Sequence, residues 1–600
     1  MQIIRGNALR RERTFWRHMW RASRAATVSA PLLIVLSAGA SWLTMNATGR
    51  VVTGAIDRDD AVWRWLVLAF VGLVGQPLAL AAVDAVSAMH QARMTAQRHR
   101  MLAEAALAPH GVGHLEDPKT AGAYAAVSEH ARTALGLNEI PAVWKVISTR
   151  ALGLAALSVV WSWSWWAALL LVFLNGLTGV AFSHYLRTVL SELFSGQSIE
   201  RRRARYLLGL LVTRQPAKEV RLFGLTPRLV DSFAQVMQRA MTTTAARRRA
   251  HLRPSLAAAA LFAVGLSVVM GLLVRDVWVG AVGAGLIVTV AQGIKSMAAL
   301  GPLGDKSVDA ARARATEMRL DDLISARAER FSDVDGSDAQ PRRVSTRGAA
   351  EIEFRDVSFT YPSRSKPTLR ELNLHVQAGQ SVAVVGVNGV GKSTLIKLLC
   401  GLYPPDSGEV RVDGGDPAVD DGVRRRVAVI FQDFVRYQLS LRDNIAMAGK
   451  HSDEEVTNAL VDAAGTDVLT RVEGDLSVML DPGYVGGTDL SGGQWQRVAL
   501  ARALAAVRRG AGVLVLDEPT AALDVRAEAE IFDRFLDVTQ GVTTILVSHR
   551  LSSVRHAERI VVLGPEGVVE DGTHAELLSA GGEYSEMFRL QASRFEAAGG

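Results

Sequence analysis

Residues 381–402 read SVAVVGVNGVGKSTLIKLLCGL. An apolar run gives way to glycines, and the glycines give way to a run with helical apolar spacing. The expected local structure is strand, loop, helix. The loop carries Gly386, Gly391, Lys392 and Ser393 in the order G-x-x-x-x-G-K-S, with Asn388 and Gly389 inside it. Glycines let backbone N–H groups close around phosphates. The lysine of such a loop reaches the β- and γ-phosphates, and the serine hydroxyl suits Mg²⁺. The following helix adds the positive end of its dipole. The pattern arises by chance in long chains, but in a strand–loop–helix setting it is far more specific.

Four further stretches share this half of the chain. EIEFRDVSFTYP (351–362) opens with alternating apolar residues and reads as a strand. GVLVLDEP (512–519) is a buried-strand pattern that delivers Asp517 and Glu518 at its end. An acidic residue there can hold Mg²⁺, and a second can position or deprotonate a water. TTILVSH (543–549) is another such strand and ends in His549. DLSGGQWQR (489–497) is a polar glycine loop whose serine has no activating base nearby. Taken singly, Glu518 reads as a helix-start carboxylate and His549 as a cap; beside the phosphate loop those readings lose ground.

Composition constrains the other half. The chain has 600 residues, enough for two or more domains. Hydrophobic residues make up 49% and the mean hydropathy is +0.16, so membrane spans are expected. Six candidate spans lie near 27–47, 62–86, 142–160, 165–186, 255–275 and 277–300. The net charge is +7, and the arginines carrying it are clustered. Arg5, Arg10, Arg11, Arg13, Arg17, Arg21 and Arg24 precede the first span, and Arg201–Arg203, Arg205 and Arg247–Arg249 lie between the fourth and fifth. The WSWSWW connection between spans three and four is uncharged. The positive-inside rule then places the N-terminus, the two long connections and the C-terminal half in the cytosol. Trp161, Trp163, Trp165 and Trp166 read as anchors at the outer interface, with an aromatic binding patch as the alternative. The single cysteine, Cys400, excludes an intrachain disulfide.

Both long connections read as helical extensions with tips near 113–121 and 217–227, punctuated by Pro118, Gly224 and Pro227. Such tips suit docking; solvated loops are the bland alternative. Polar residues that interrupt the spans include Arg150, Asn175, Gln292 and Lys295. They read either as lining a translocation path or, for Arg150 and Lys295, as snorkelling at the cytosolic edge. The expected domains are a basic interfacial segment over 1–26, a six-span domain over 27–328, a polar linker over 329–350 and a nucleotide domain over 351–600.

The motifs, in this order, resemble those of ATP-binding cassette (ABC) transporters of the exporter type, as a half-transporter with membrane and nucleotide domains fused. The resemblance covers essentially the whole chain. It rests on Tyr361 in FTYP, GVNGVGKST, Gln432 in FQDF, LSGGQ, VLVLDEP, LD at 523–524 and SH at 548–549. It implies a six-span α-helical membrane domain with long cytoplasmic helices, followed by an α/β P-loop ATPase domain. It implies ATP and Mg²⁺ as cofactors. Tyr361 would stack on adenine; Gly386, Asn388, Gly389, Gly391, Lys392, Ser393 and Thr394 would hold phosphate. Ser393, Gln432 and Asp517 would hold Mg²⁺, with Glu518 as catalytic base and His549 on the γ-phosphate. Ser491, Gly492, Gly493 and Gln494 would form a signature loop capping the nucleotide of the other subunit, and Asp524 would signal between subunits. RRERTFWRHMWRAS resembles an interfacial elbow helix, with aromatics inward and arginines outward. Ala521, Trp495 and Val485 depart from the commonest drug-exporter pattern, and Val485 replaces a frequent glutamate.

The implied function is ATP-driven export across a bacterial-type plasma (inner) membrane. A complete set of site residues in one chain favours a homodimer; a heterodimer subunit and an importer on the same architecture stay open. FQDFVRYQLSLRDNIA and EGDLSVMLDPGYVGGTDLSGGQWQR resemble stretches of exporters linked to ribosomal peptides; a hydrophobic natural product or lipid stays open as substrate. Leader-peptide cleavage is not expected. A soluble ATPase acting on nucleic acid would explain the pI near 9.6 but leaves six apolar spans unexplained, so no nucleic-acid partner is expected.

Overall fold

The computed structural model describes residues 2–107, 111–117, 120–122, 124, 138–194, 199–213, 216–332, 348–447, 449, 451–518, 539–548 and 554–598. Contacts divide the chain into two compact units. One is Met1–Ala105 with Ala123–Ala326; the other is Ala106–Gly122 with Arg327–Gly600.

The first unit is helical. Among the described residues, six helical segments are long and apolar enough to cross a membrane: Arg24–Asp57, Val62–Leu107, Glu139–Trp163, Trp165–Ser183, Arg253–Trp278 and Ala284–Ser325. The sixth differs from the sequence expectation in two ways. It starts at Ala284 instead of residue 277, because the fifth helix runs to Trp278 and Gly280 then turns at φ +73°. It is also interrupted. The helix Ala284–Met297 tightens into a 3₁₀ turn at Ala298–Leu300, and a new helix begins at Asp305. The sequence between is GPLG: Pro302 has no N–H to give, and Gly304 takes φ +56°.

Small residues let the first and sixth spans touch. A Cβ on Gly49 would stand 1.9 Å from Thr289 Oγ1 and 2.6 Å from the Gly285 carbonyl, so only glycine permits this close backbone approach. Around this contact Met45, Val160, Leu171, Leu273, Val290 and Ile294 form one buried cluster. A second cluster gathers Phe15 and Met19 with Ile34, Val83, Met94 and Trp144.

The elbow helix Gln2–Ala22 departs from its expected orientation. Phe15 is fully buried, but Trp20 remains exposed. Its arginines do not simply face outward: Arg17 pairs with Asp321 at 2.6 Å and Arg10 with Asp322 at 3.1 Å. Below them lies a buried ionic network that periodicity could not reveal. Arg98 bonds Glu139 at 2.7 Å and also Glu317, which takes a 2.6 Å contact from His18 Nδ1. Four separate helices meet there, so the partners are remote in sequence. Removing one partner of such a set strands the others and costs about 3–5 kcal/mol.

Among the described residues, the second unit carries nine strands. In chain order they are β1 (Ile352–Phe359), β2 (Leu369–Val376), β3 (Ser381–Val385), β4 (Ser407–Val412), β5 (Val427–Ile430), β6 (Val513–Asp517), β7 (Thr543–Val547), β8 (Arg559–Gly564) and β9 (Gly567–Gly572). A three-stranded antiparallel sheet has the order β2-β1-β4. A six-stranded sheet has the order β5-β6-β7-β3-β8-β9, with β9 antiparallel to the rest. Every residue of β6 and β7 is buried, as expected of central parallel strands covered on both faces. Strand β3 lies between β7 and β8, with Val384 level with Val547 and Val561. Residues 512–517 and 381–385 therefore deliver their chemistry at the carboxyl edge of one sheet, where open α/β sheets bind ligands.

A helical part of this unit packs the helix Gly492–Arg508 against Asp453–Asp462 around Trp495, Leu500 and Val456. The tip helix Gly113–Glu116 also belongs here. Val112 donates its N–H to the Leu402 carbonyl at 2.9 Å, and Lys397 lies 3.7 Å from Glu116. The tip is thus tied to the end of the helix that follows the phosphate loop. The other tip helix, Ala217–Leu222, is in the first unit, with Leu222 and Phe223 exposed at 80% and 68%.

Candidate functional site: a phosphate loop at the sheet edge

The loop after β3 is built on glycines for a stated reason. Gly386, Gly389 and Gly391 sit at φ +149°, +85° and +120°, conformations that side chains resist. Gly391 caps the helix Lys392–Leu399, whose Leu395, Ile396, Leu398 and Leu399 are buried in the core beneath the sheet. The first turn is therefore held rigidly, with its N–H groups at the loop. Lys392 folds back over the loop and donates to the carbonyls of Gly386 at 2.7 Å and Val387 at 3.3 Å. Burial lowers its pKa, opposed by Glu518 and Asp517.

Two carboxylates face the lysine. Asp517 is 5% exposed, and its pKa rises to about 6. Burial is the main cause and Glu518 the next; the Ser393 hydroxyl and Lys392 act the other way. A carboxylate so placed, with a serine hydroxyl bonded to it, is an oxygen donor set short of positive charge. It fits a hard divalent cation such as Mg²⁺. Glu518 receives a 2.8 Å hydrogen bond at Oε2 from Gln432 Nε2. Its backbone is left-handed at φ +49°, a conformation that costs about 1–3 kcal/mol for a non-glycine residue. The bond from Glu518 N–H to the Val547 carbonyl at 2.8 Å, extending the β6–β7 pairing, helps fix it. No sequence signal announced this strain.

Tyr361 lies against Phe359 and Tyr403, with ring centroids 5.0 and 5.6 Å away, and its hydroxyl meets Thr394 Oγ1 at 3.1 Å. Its place beside the loop follows from β1 ending next to it. His549 and Asp524 lie outside the described residues, as does Ala521.

The signature stretch is arranged differently. Ser491 caps the helix Gly492–Arg508: its Oγ accepts from Gln494 N–H at 3.3 Å, and Gln494 Oε1 accepts from Ser491 N–H at 3.0 Å. This is a capping box, and it leaves the N–H groups of Gly492 and Gly493 at the open helix end. Ser491 itself is exposed. Trp495 explains itself structurally: it is 2% exposed, and its indole donates to Asp489 at 3.3 Å. Val485 is fully exposed.

Sequence reading missed the brace between this helix and the Gln432 segment. Arg502 Nε donates to the Asn444 carbonyl at 2.9 Å, and its guanidinium lies 5.0 Å over Tyr437. Asn444 is fully buried and donates to the carbonyls of Tyr437, Leu439 and Ser440. An interior arginine in a helix gives no pattern by which its partners could be found.

In the first unit, two of the four polar span residues, Arg150 and Asn175, border the interruption of the sixth span, where a Cβ on Gly301 would stand 2.8 Å from Asn175 Oδ1. Arg150 donates to the Ala299 carbonyl at 3.0 Å, at the interruption of the sixth span. Asn175 is buried and donates to Leu171 at 2.9 Å; Gln292 bonds Thr48 at 3.1 Å; Lys295 is exposed.

A family model described as ABC transporter matches residues 369–521, which run from β2 past Glu518. ATP-dependent lipid A-core flippases from Salmonella paratyphi A and Thiobacillus denitrificans are 37% and 38% identical over 254 and 261 residues. Each match covers 42% of this chain and 43% or 44% of the relative, so the chain spans less than half the length of the curated relatives it matches. Over the whole length, the structure of a bacterial Atm1-family ABC exporter with ATP bound superposes with a TM-score of 0.67 at 24% identity, covering 95% of this chain and 98% of that one. The second unit thus carries an ABC transporter domain over residues 369–521, and the chain as a whole has the fold of that exporter structure, six apolar helical segments followed by the two-sheet unit.

Proposed function

We propose that the chain is an ATP-driven exporter of the bacterial plasma (inner) membrane, working as a dimer with two shared ATP sites. The observation that carries this is the meeting of Lys392, Ser393, Asp517, Glu518 and Gln432 at one sheet edge. Lys392 and the loop N–H groups hold the β- and γ-phosphates, and Tyr361 stands where an adenine ring can stack. Ser393, Asp517 and Gln432 would hold Mg²⁺, which would supply charge neutralisation at the phosphates. Glu518, oriented by Gln432, takes a proton from the attacking water. His549 and Asp524 complete the site by resemblance.

Ser491, Gly492 and Gly493 serve the partner's nucleotide; in support, the exposed Ser491 hydroxyl makes, among the described residues, only the capping bond from Gln494 N–H in its own helix. A homodimer is the simplest form, since one chain supplies every role; a heterodimer with a related chain is its alternative. Closure of the nucleotide domains is passed on through the tips at Gly113–Glu116 and Ala217–Leu222; the exposed Leu222 and Phe223 suit an apolar docking partner. The arginine distribution supports a cytoplasmic N-terminus and nucleotide domain. The substrate we propose is a peptide or hydrophobic natural product, with Arg150, Asn175, Gln292 and Lys295 as the residues to probe along its path.

The test is ATP hydrolysis by the chain alone in lipid, with inverted vesicles to read direction. Glu518→Gln lowers hydrolysis by about 10²–10⁴-fold if this reading holds. Near-normal hydrolysis in Glu518→Gln refutes the assignment, and uptake in the opposite sense refutes export.

A further inference from the structure

A cavity of about 330 Å³ opens in the first unit, away from the nucleotide chemistry. Arg11 and Glu12 of the elbow helix line it, with Val146 of the third span and Ala310, Ala311 and Arg314 of the helix after the GPLG break. Its charges do not balance. Glu12 is engaged by Arg314, Nε to Oε1 at 2.7 Å. Arg314 is further held by the Ala310 carbonyl at 2.8 Å and lies 5.1 Å over the Phe15 ring. Arg11 donates from Nη2 to the Ala311 carbonyl at 2.7 Å, but its Nε is buried and has no partner among the described residues. The nearby carboxylates are taken: Asp321 by Arg17, Asp322 by Arg10, and Asp309 by Arg312 at 3.2 Å. Two guanidinium groups therefore face the cavity with one carboxylate between them. Burial, and then the charge of Arg314, disfavour the charged form of Arg11.

The remaining wall is Val146, Ala310 and Ala311, together with Ser307, whose hydroxyl already donates to the Gly304 carbonyl at 2.7 Å. The position is interfacial too. The elbow helix precedes the first span at Arg24, and Val146 stands near the start of the third. A cationic donor above an apolar wall at that level matches a lipid's phosphate above its first methylenes.

We propose that this cavity binds the phosphodiester headgroup of an anionic lipid, with the guanidinium groups of Arg11 and Arg314 that line it facing a phosphate oxygen. The proposal rests on the six helices crossing a bilayer, and not on ATP chemistry or transport. The Arg11–Arg314 repulsion gains a counter-ion, and the guanidinium of Arg11 a charge-assisted partner. Free phosphate shares the headgroup's chemistry but makes no use of the apolar wall.

The experiment uses the full chain in nanodiscs of phosphatidylcholine with a minor fraction of phosphatidylglycerol, and counts retained lipids by native mass spectrometry. Wild type is expected to retain phosphatidylglycerol selectively. Arg11→Gln should lower that retention on the order of tenfold, the loss of one charge-assisted contact. Glu12→Gln should raise it, because the competing carboxylate is gone. Arg13→Gln, an exposed neighbour outside the cavity, should leave it unchanged. Equal effects of Arg11→Gln and Arg13→Gln would mean only a generally basic surface, and would overturn the site. Displacement of the lipid by millimolar inorganic phosphate would reassign the cavity to a free anion and overturn the lipid. If Arg11→Gln does not fold, Glu12→Gln decides alone, and no gain in retention refutes the proposal. Because retention is the readout, its failure leaves the transport reading untouched.

Discussion

Two glycine-bearing helix starts, at Lys392 and at Gly492, solve the same physical problem in opposite ways. At the phosphate loop the chain occupies its own groups: Lys392 lies on the carbonyls of Gly386 and Val387, Thr394 on Tyr361, and Ser393 on Asp517. At the signature loop only the local cap is made, and the helix end stays open with Ser491 exposed. The first start is a site nearly complete within one chain, short mainly of positive charge. The second, among the described residues, makes only its own cap and leaves the N–H groups of Gly492 and Gly493 at an open helix end. The contrast teaches that a glycine-rich helix start acquires meaning from what stands opposite it.

The largest effects should break the first region. Glu518→Gln keeps the shape and removes the base, so hydrolysis should fall by about 10²–10⁴-fold while ATP still binds. Lys392→Ala should abolish nucleotide binding as well. Filter binding of labelled ATP beside phosphate release separates the two; equal binding by both variants would contradict the roles.

Next, the sharing itself can be broken and mended. Homodimers of Lys392→Ala or of Ser491→Ala have both sites damaged. A mixed dimer, purified through two tags, has one site with both defects and one with neither. Vanadate trapping should return to one site per dimer. Absent rescue, in a dimer shown to hold both tags, would place Ser491 in its own chain's site.

A smaller effect separates the two tasks of Ser491. Ser491→Ala removes the cap and should destabilise the nucleotide unit by about 0.5–2 kcal/mol in chemical denaturation. Ser491→Asp caps equally well, so stability should persist, but it sets a carboxylate toward the partner's phosphate and trapping should vanish. If trapping persists in Ser491→Asp, no phosphate approaches this serine.

The smallest effect concerns charge at the first region. The pKa of Asp517 in the folded chain rises from 3.8 to about 6, so the native state binds its proton more tightly than the unfolded chain. Its ionisation therefore lowers stability as pH climbs through that window, with the full cost present above it. Without nucleotide, Asp517→Asn should melt a few degrees higher than wild type at pH 8 and no higher at pH 4. Mg²⁺ should reverse the order at pH 8, because only the carboxylate binds it well. An unchanged difference across pH would mean that Asp517 is not desolvated.

How much of this was legible depended on the range of the interaction. The phosphate loop, the strands at 513–517 and 543–547 and the six spans announce themselves, because each is a local pattern of apolar spacing and glycine. The capping box at Ser491 and Gln494 was local as well, three residues apart. The orientation of the elbow was not: Arg10 and Arg17 turn to Asp322 and Asp321, some three hundred residues away. Likewise nothing in the sequence joined Arg98 to Glu139 and Glu317, or Arg502 to Asn444.

By itself the sequence determined the two kinds of domain, the chemistry of the loop at 386–394, and the order of its partner motifs. Apolar periodicity, glycine spacing and motif order are set by neighbours along the chain, and so can be read there. Tertiary structure alone decided which carboxylate is desolvated, that Gln432 orients Glu518, that Glu518 is held at φ +49°, and that Arg11 and Arg314 line one cavity. Those properties depend on dielectric surroundings and on partners brought together by folding, and electrostatic energy depends on distance in space, which sequence separation does not encode.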